Sequence, residues 1–223
     1  MKVKTINSIE VTSLCNLACE YCPNRLQHKY RKTGHMEWET FERAIYWVRY
    51  FCNQGTQLEL NLFGIGEPTI QPKFIEMIHY AKKILPFHQV IHFNTNGVTM
   101  TEDLARKIMD AGINHIDITG HSPYHTAKAI RIFRKLGIQG QISLDPITQP
   151  NNWAGQVDWF ESDVTYPCPW LRRGQVMVYS TGDITTCCID AFGQGVVGHI
   201  NDDNVPDIEL KPFILCETCH QIP

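Results

Sequence analysis

Residues 7–22 read NSIEVTSLCNLACEYC, a short strand-like run that leads straight into a loop carrying Cys15, Cys19 and Cys22. A run of this kind followed by a chemically unusual loop recurs four more times. Candidate strands cover residues 7–12, 57–63, 89–95, 114–119 and 138–144. Leu58, Leu60 and Leu62 alternate as a half-buried strand requires. Between the runs, Phe41, Ala44, Ile45, Val48 and Phe51 recur at helix spacing, as do Phe74, Met77, Ile78, Ala81 and Leu85. A third helix opens at Thr101, a suitable N-cap, and stops at Gly112. A fourth carries Ala127, Ile130, Phe133 and Leu136 and stops at Gly137. The alternation predicts an α/β fold with a parallel sheet and helices packed outside it. Such sheets place function in the loops at the carboxyl ends of their strands. Those loops hold the three cysteines, GIGEP at 64–68, NTNG at 94–97, TGHSP at 119–123 and DPITQP at 145–150.

Of the 223 residues 43% are hydrophobic, enough to build a core and to exclude disorder. Twenty Lys and Arg against 23 Asp and Glu give a net charge of −3 with no like-charge run. That balance argues against nucleic acid or an anionic membrane as the main partner. The N-terminus, MKVKTINSIEVTS, has no apolar stretch of signal-peptide length, and no segment approaches a membrane span. A cytoplasmic location is expected. In that reducing compartment nine cysteines point to metal or redox chemistry rather than disulfides.

Beyond residue 146 the helical period stops and Pro, Asn and Gly accumulate. VMVYSTGDITTCC at 176–188 reads as a hairpin turning at Thr181, Gly182 and Asp183. A boundary near residue 150 would separate a main body, residues 1–150, from a small cysteine-bearing domain, residues 151–223. Little space is left between the fifth strand and Cys168 for a further helix and strand.

C-x3-C-x2-C offers three thiolates, enough for three corners of a [4Fe-4S] cube, and leaves the fourth iron open to bind a substrate. The structural alternative is a zinc knuckle completed by a fourth ligand such as His28. Cys52, on the apolar face of the first helix, reads as core packing or, more sharply, as a hydrogen-atom donor.

With Tyr21 before its last cysteine, the motif resembles that of the radical S-adenosylmethionine (SAM) superfamily. GIGEP resembles that family's glycine-glutamate motif, whose backbone lies against the methionine moiety of SAM; Gly66 and Glu67 match it. Asn96 falls in a T-N-G signature like the family's, and Thr119 falls where members often carry a ribose-binding hydroxyl. Ser143 is a second candidate for that role. The resemblance implies a truncated, open parallel β/α barrel of about five to six strands. It also implies reductive cleavage of SAM to a 5′-deoxyadenosyl radical that removes a hydrogen atom from a substrate.

Cys168, then thirteen residues, Gly182, four residues and Cys187 resemble the opening of the family's SPASM and twitch domains. Cys216 and Cys219 follow. The resemblance implies a twitch-like domain with a second [4Fe-4S] cluster on Cys168, Cys187, Cys216 and Cys219. A zinc ribbon is its alternative, and Cys188 competes with Cys187 as ligand. The implied activity is oxidation of a small polar, sugar- or cyclitol-like molecule, with electron exit through the second cluster. The alternatives are crosslinking or epimerisation of a peptide, and a plain iron-sulfur electron carrier. His121, Tyr124, Asp145 and Trp153 lie near the expected mouth as substrate contacts. A flavodoxin- or ferredoxin-type electron donor is the expected partner besides the substrate.

Overall fold

A computed structural model describes residues 1–138, 141–145, 152–158, 166–219 and 221–222. Five strands follow the expected order: β1 (Thr5–Ile9), β2 (Leu60–Asn61), β3 (Ile91–Thr95), β4 (His115–Thr119) and β5 (Ile142–Asp145). All pair in parallel, with Leu60 opposite Ile91, Phe93 opposite Ile116 and Ile118 opposite Leu144. The strand period shows in burial. On β3, Ile91, Phe93 and Thr95 are buried while His92 and Asn94, on the other face, are half-exposed. Leu60 and Leu62 are fully buried, whereas Leu58 lies before the strand and is exposed.

Four helices supply the crossovers: α2 (Trp38–Asn53), α3 (Phe74–Ile84), α4 (Glu102–Asp110) and α5 (Pro123–Lys135). A one-turn α1 (Asn24–Gln27) precedes them. The apolar stripes of α2 and α3 are buried as the spacing predicts. Thr101 caps α4 by accepting a hydrogen bond from the Leu104 amide at 3.1 Å. On α5 Phe133 is buried and Ile130 and Leu136 pack partly buried against the core, as expected; Ala127 is exposed instead, and Thr126 and Ala129 are buried.

The sixth parallel strand comes from an unexpected place. Among the described residues of the interval before Cys168, Tyr166–Pro167 forms a strand but pairs outside this sheet. Instead β7 (Gln175–Val178) pairs in parallel with β1, after α6 (Pro169–Arg173) has reversed the chain. The antiparallel strands β8 (Asp183–Thr185) and β9 (Val196–His199) extend that edge. The order is β5-β4-β3-β2-β1-β7-β8-β9, an open sheet with β5 and β9 at its ends. The predicted hairpin is β7–β8, and Gly182 turns it at φ 95° with no room for a Cβ beside the His199 ring. Tyr166–Pro167 (β6) and Gln221–Ile222 (β10) form a separate short parallel pair. The boundary expected near residue 150 lies outside the described residues, and the chain on both sides of it contributes to the one sheet. Among the described residues no helix is long and apolar enough to cross a membrane.

Candidate active site

The carboxyl ends of β1–β5 and the described chain beyond them line a cavity of about 300 Å³. Cys15, Cys19 and Cys22 line it together with Tyr21, Gly66, Glu67, Asn96, Thr119, His121, Asp145 and Trp153. Eleven sequence-predicted residues thus meet in one place. Two others lie elsewhere. Tyr124 projects outward, 74% exposed, and Ser143 donates a hydrogen bond to Asp117 rather than lining the cavity. Phe63, Asn24 and Asn94 line it without having been singled out. Asn94 carried a signal, since it sits in the same loop motif as Asn96.

The cysteine loop is fixed at its start. Asn24 and Gln27 both donate to the Ser13 carbonyl, at 2.8 and 2.5 Å, so α1 clamps the chain just ahead of Cys15. The glycine-rich loop then lies directly on it. A Cβ on Gly66 would stand 2.2 Å from the Thr12 carbonyl oxygen and 2.6 Å from that of Leu14. The Glu67 amide donates to the same Leu14 oxygen at 2.8 Å. Only glycine permits that approach.

Glu67 is 3% exposed, and its carboxylate is taken up by the chain itself. It accepts from the Asn96 amide and the Thr95 hydroxyl, both at 2.8 Å, and from the Thr69 amide and hydroxyl. Burial pushes this carboxyl up, and the four hydrogen bonds pull it back towards the ionised form. Glu67 therefore joins the loops after β2 and β3. Asn96 carries the link onward, donating to Asn16 Oδ1 at 2.8 Å inside the cysteine loop.

Opposite, Tyr21 stacks on His121 with centroids 5.9 Å apart. Burial raises the Tyr21 phenol, with Cys19 adding to the shift, and burial lowers the His121 imidazole against the Asp145 charge. The Tyr21 hydroxyl and His121 Nδ1 are hydrogen-bonded at 2.7 Å.

The three thiols fit a cluster. Burial raises Cys15, and raises Cys22 to about 11, so bound iron would favour their thiolate forms. Among the described residues no three His, Cys, Asp or Glu side chains converge on a point that could hold a single metal ion. A cube, which takes one thiolate per iron, does not need them to.

The later cysteines do not line this cavity. Cys168 stands at the start of α6 and packs with Cys188 against Trp170, Met177 and Tyr179. A hydrogen bond with the Cys188 thiol, then burial, pushes Cys187 well up. Burial raises the Cys216 thiol, with Cys187 and Cys168 adding to the shift. Cys219 is half-buried.

The model of the radical SAM superfamily matches residues 9–145, more than half of the chain. The chain belongs to the radical SAM superfamily. It is 31% identical over 107 residues to the tungsten-containing aldehyde ferredoxin oxidoreductase cofactor-modifying protein of Pyrococcus furiosus, covering 48% of this chain and 28% of that one. It is 27% identical over 123 residues to the PqqA peptide cyclase of Methylocella silvestris, covering 52% of this chain and 30% of that one. These matches take in under a third of either relative's length. In fold, this radical SAM chain is similar to BtrN in its crystal structure with AdoMet and 2-DOIA, with a TM-score of 0.75 at 18% identity. That likeness covers 92% of this chain and 81% of BtrN.

Proposed function

We propose that this radical SAM enzyme oxidises a small polar, sugar- or cyclitol-like molecule at a C–H bond. Residues 1–150 serve as the SAM-binding core, and residues 151–223 as a twitch-type unit that takes the second electron. The observation that carries the reading is the shared cavity. Three thiols and the polar groups of Thr119, His121 and Asp145 line one space of about 300 Å³, at the lower end for small-molecule sites. The likeness to BtrN, seen with 2-DOIA, supports the same substrate class.

Cys15, Cys19 and Cys22 would hold the first cluster, and Cys168, Cys187, Cys216 and Cys219 the second. When bound, cluster and SAM supply the 5′-deoxyadenosyl radical. The chain's own contribution is shape and order. Glu67 and Asn96 lock three loops together around the reacting space, and Tyr21 fixes the ring orientation of His121. The likeness to the PqqA peptide cyclase supports a second reading, a peptide side chain to be crosslinked or epimerised. A plain electron carrier has no use for the cavity.

Anaerobically reconstituted holoenzyme should hold about eight iron and eight sulfide, as two cubes require. Under reduction it should form 5′-deoxyadenosine from SAM. Given a polyol deuterated at the reacting carbon, it should move that deuterium into 5′-deoxyadenosine, one per oxidised product. No solvent hydrogen should be fixed at that carbon. Cys52 packs on the core beside Gln89, away from the cavity; solvent deuterium appearing at that carbon, and lost on replacing Cys188, would turn the reading to epimerisation.

A further inference from the structure

One buried ion pair outside the cavity touches both cysteine regions. Glu10, just past β1, is fully buried, and Arg31, beyond α1, is nearly so. The guanidinium donates to both Glu10 carboxylate oxygens, each at 2.8 Å. Glu10 also accepts from the Ile65 amide in the glycine-rich loop at 3.1 Å, and from the Ser180 amide in the β7–β8 turn at 3.2 Å.

Arg31 has further partners on both sides. Its Nη2 donates to Gln27 Oε1, and Gln27 holds the Ser13 carbonyl ahead of Cys15. Its Nε donates to the Ala191 carbonyl at 2.9 Å, four positions after Cys187. Its guanidinium carbon lies 4.1 Å over the Tyr179 ring, which packs beside Cys168 and Cys188. The Tyr179 hydroxyl donates to the Asp190 carbonyl.

A planar fork with five donors can serve all these partners at once; a lysine ammonium cannot. Burying two charges in water's absence is unfavourable unless each is matched, and here all the matches but that to Gln27 join segments far apart in sequence.

We propose that Glu10 and Arg31 form a positioning pair that fixes the second cysteine loop against the SAM-site loops and balances the charge felt by the second cluster. The inference rests on the two-cluster reading. That reading is tested first and separately, by the iron content of the unaltered holoenzyme.

The test is a potentiometric titration of the holoenzyme followed by electron paramagnetic resonance. The signal perturbed by added SAM marks the first cluster and the remaining signal marks the second. Glu10→Gln leaves the Arg31 cation unbalanced beside the second loop. The second cluster should then hold its electron more readily, with the reduced-to-oxidised ratio at fixed potential rising about tenfold, the size expected of one uncompensated charge acting through protein. Arg31→Lys keeps the charge but loses the fork. It should leave that ratio closer to the unaltered value while broadening the second signal, as the loop loses its fixed position. Arg31→Met, if it folds, should shift the ratio in the opposite sense to Glu10→Gln. An unchanged potential and line shape in both Glu10→Gln and Arg31→Lys, accompanied only by a lower melting temperature, would reduce the pair to a structural contact and overturn the proposal. So would a shift confined to the SAM-perturbed signal.

Discussion

The two cysteine regions of this chain are assembled in opposite ways. In the first, each functional loop directly follows its own strand, and the parallel sheet delivers the loops to one end together. In the second, Cys168 stands at the start of a short helix, Cys187 follows β8, and Cys216 lies in a 3-10 turn (Ile214–Glu217). These three stand on separate elements, so only long-range packing could assemble them. The first region is written locally and the second tertiarily, so the two should respond differently to substitution.

The sharpest attempt to break that contrast is Gly66→Ala. Its Cβ would fall within 2.6 Å of two carbonyl oxygens of the cysteine loop, neither of which can swing away as a side-chain tip could. The glycine-rich and cysteine loops would have to part. SAM cleavage should be lost, with destabilisation of about 3 kcal/mol on the scale of overpacked sites. The second cluster should survive. Iron analysis, 5′-deoxyadenosine formation and denaturant unfolding read the three effects, and loss of all iron would show that the two regions are not built independently.

The adjacent cysteines sharpen the other side. Cys187→Ala should cost about half of the iron, since one of two cubes loses a ligand. Cys188→Ala should keep the iron and cost about 1 kcal/mol, because that thiol packs with Trp170, Met177 and Tyr179. Iron counts and melting curves separate these outcomes. The reverse pattern would make Cys188 the ligand and change which face of the post-β8 turn meets the cluster.

The same contrast explains what could be read in advance. The five strands, the apolar stripes of α2 and α3, the Thr101 cap and the turn at Gly182 all depend on neighbours in sequence, and each is visible there. The sixth parallel strand was not, because β7 pairs with β1 across most of the chain's length and a pairing at that separation leaves no periodicity to read. On α5 only Ala127 departs from the stripe: Ala127 and Ala129 are equally apolar, and burial falls to Ala129, one helical turn before the buried Phe133. Glu67 lines the cavity as its motif implies, while the bonds from Thr69, Thr95 and Asn96 to its carboxylate depend on the fold and leave no mark in the sequence. Glu10 and Arg31 gave no signal at all, since an acid and a base 21 positions apart read as solvated surface until the fold buries them.

The smallest expected effect serves as the control. Thr101 caps α4 and touches neither cysteine region; its hydroxyl oxygen accepts from the Leu104 amide at 3.1 Å. Thr101→Ala removes that acceptor and leaves the amide to water, which costs about 1 kcal/mol at an exposed cap. Helix α4 packs against α3 and α5, so the loss should be felt as a lower unfolding midpoint of the whole sheet. Both clusters, SAM cleavage and the potential of the second cluster should be unchanged. If lowering stability by this amount also drained iron from the second region alone, the tertiary assembly of Cys168, Cys187 and Cys216 would be the weakest part of the fold. The responses of Glu10 and Arg31 variants would then have to be measured against Thr101→Ala rather than against the unaltered chain.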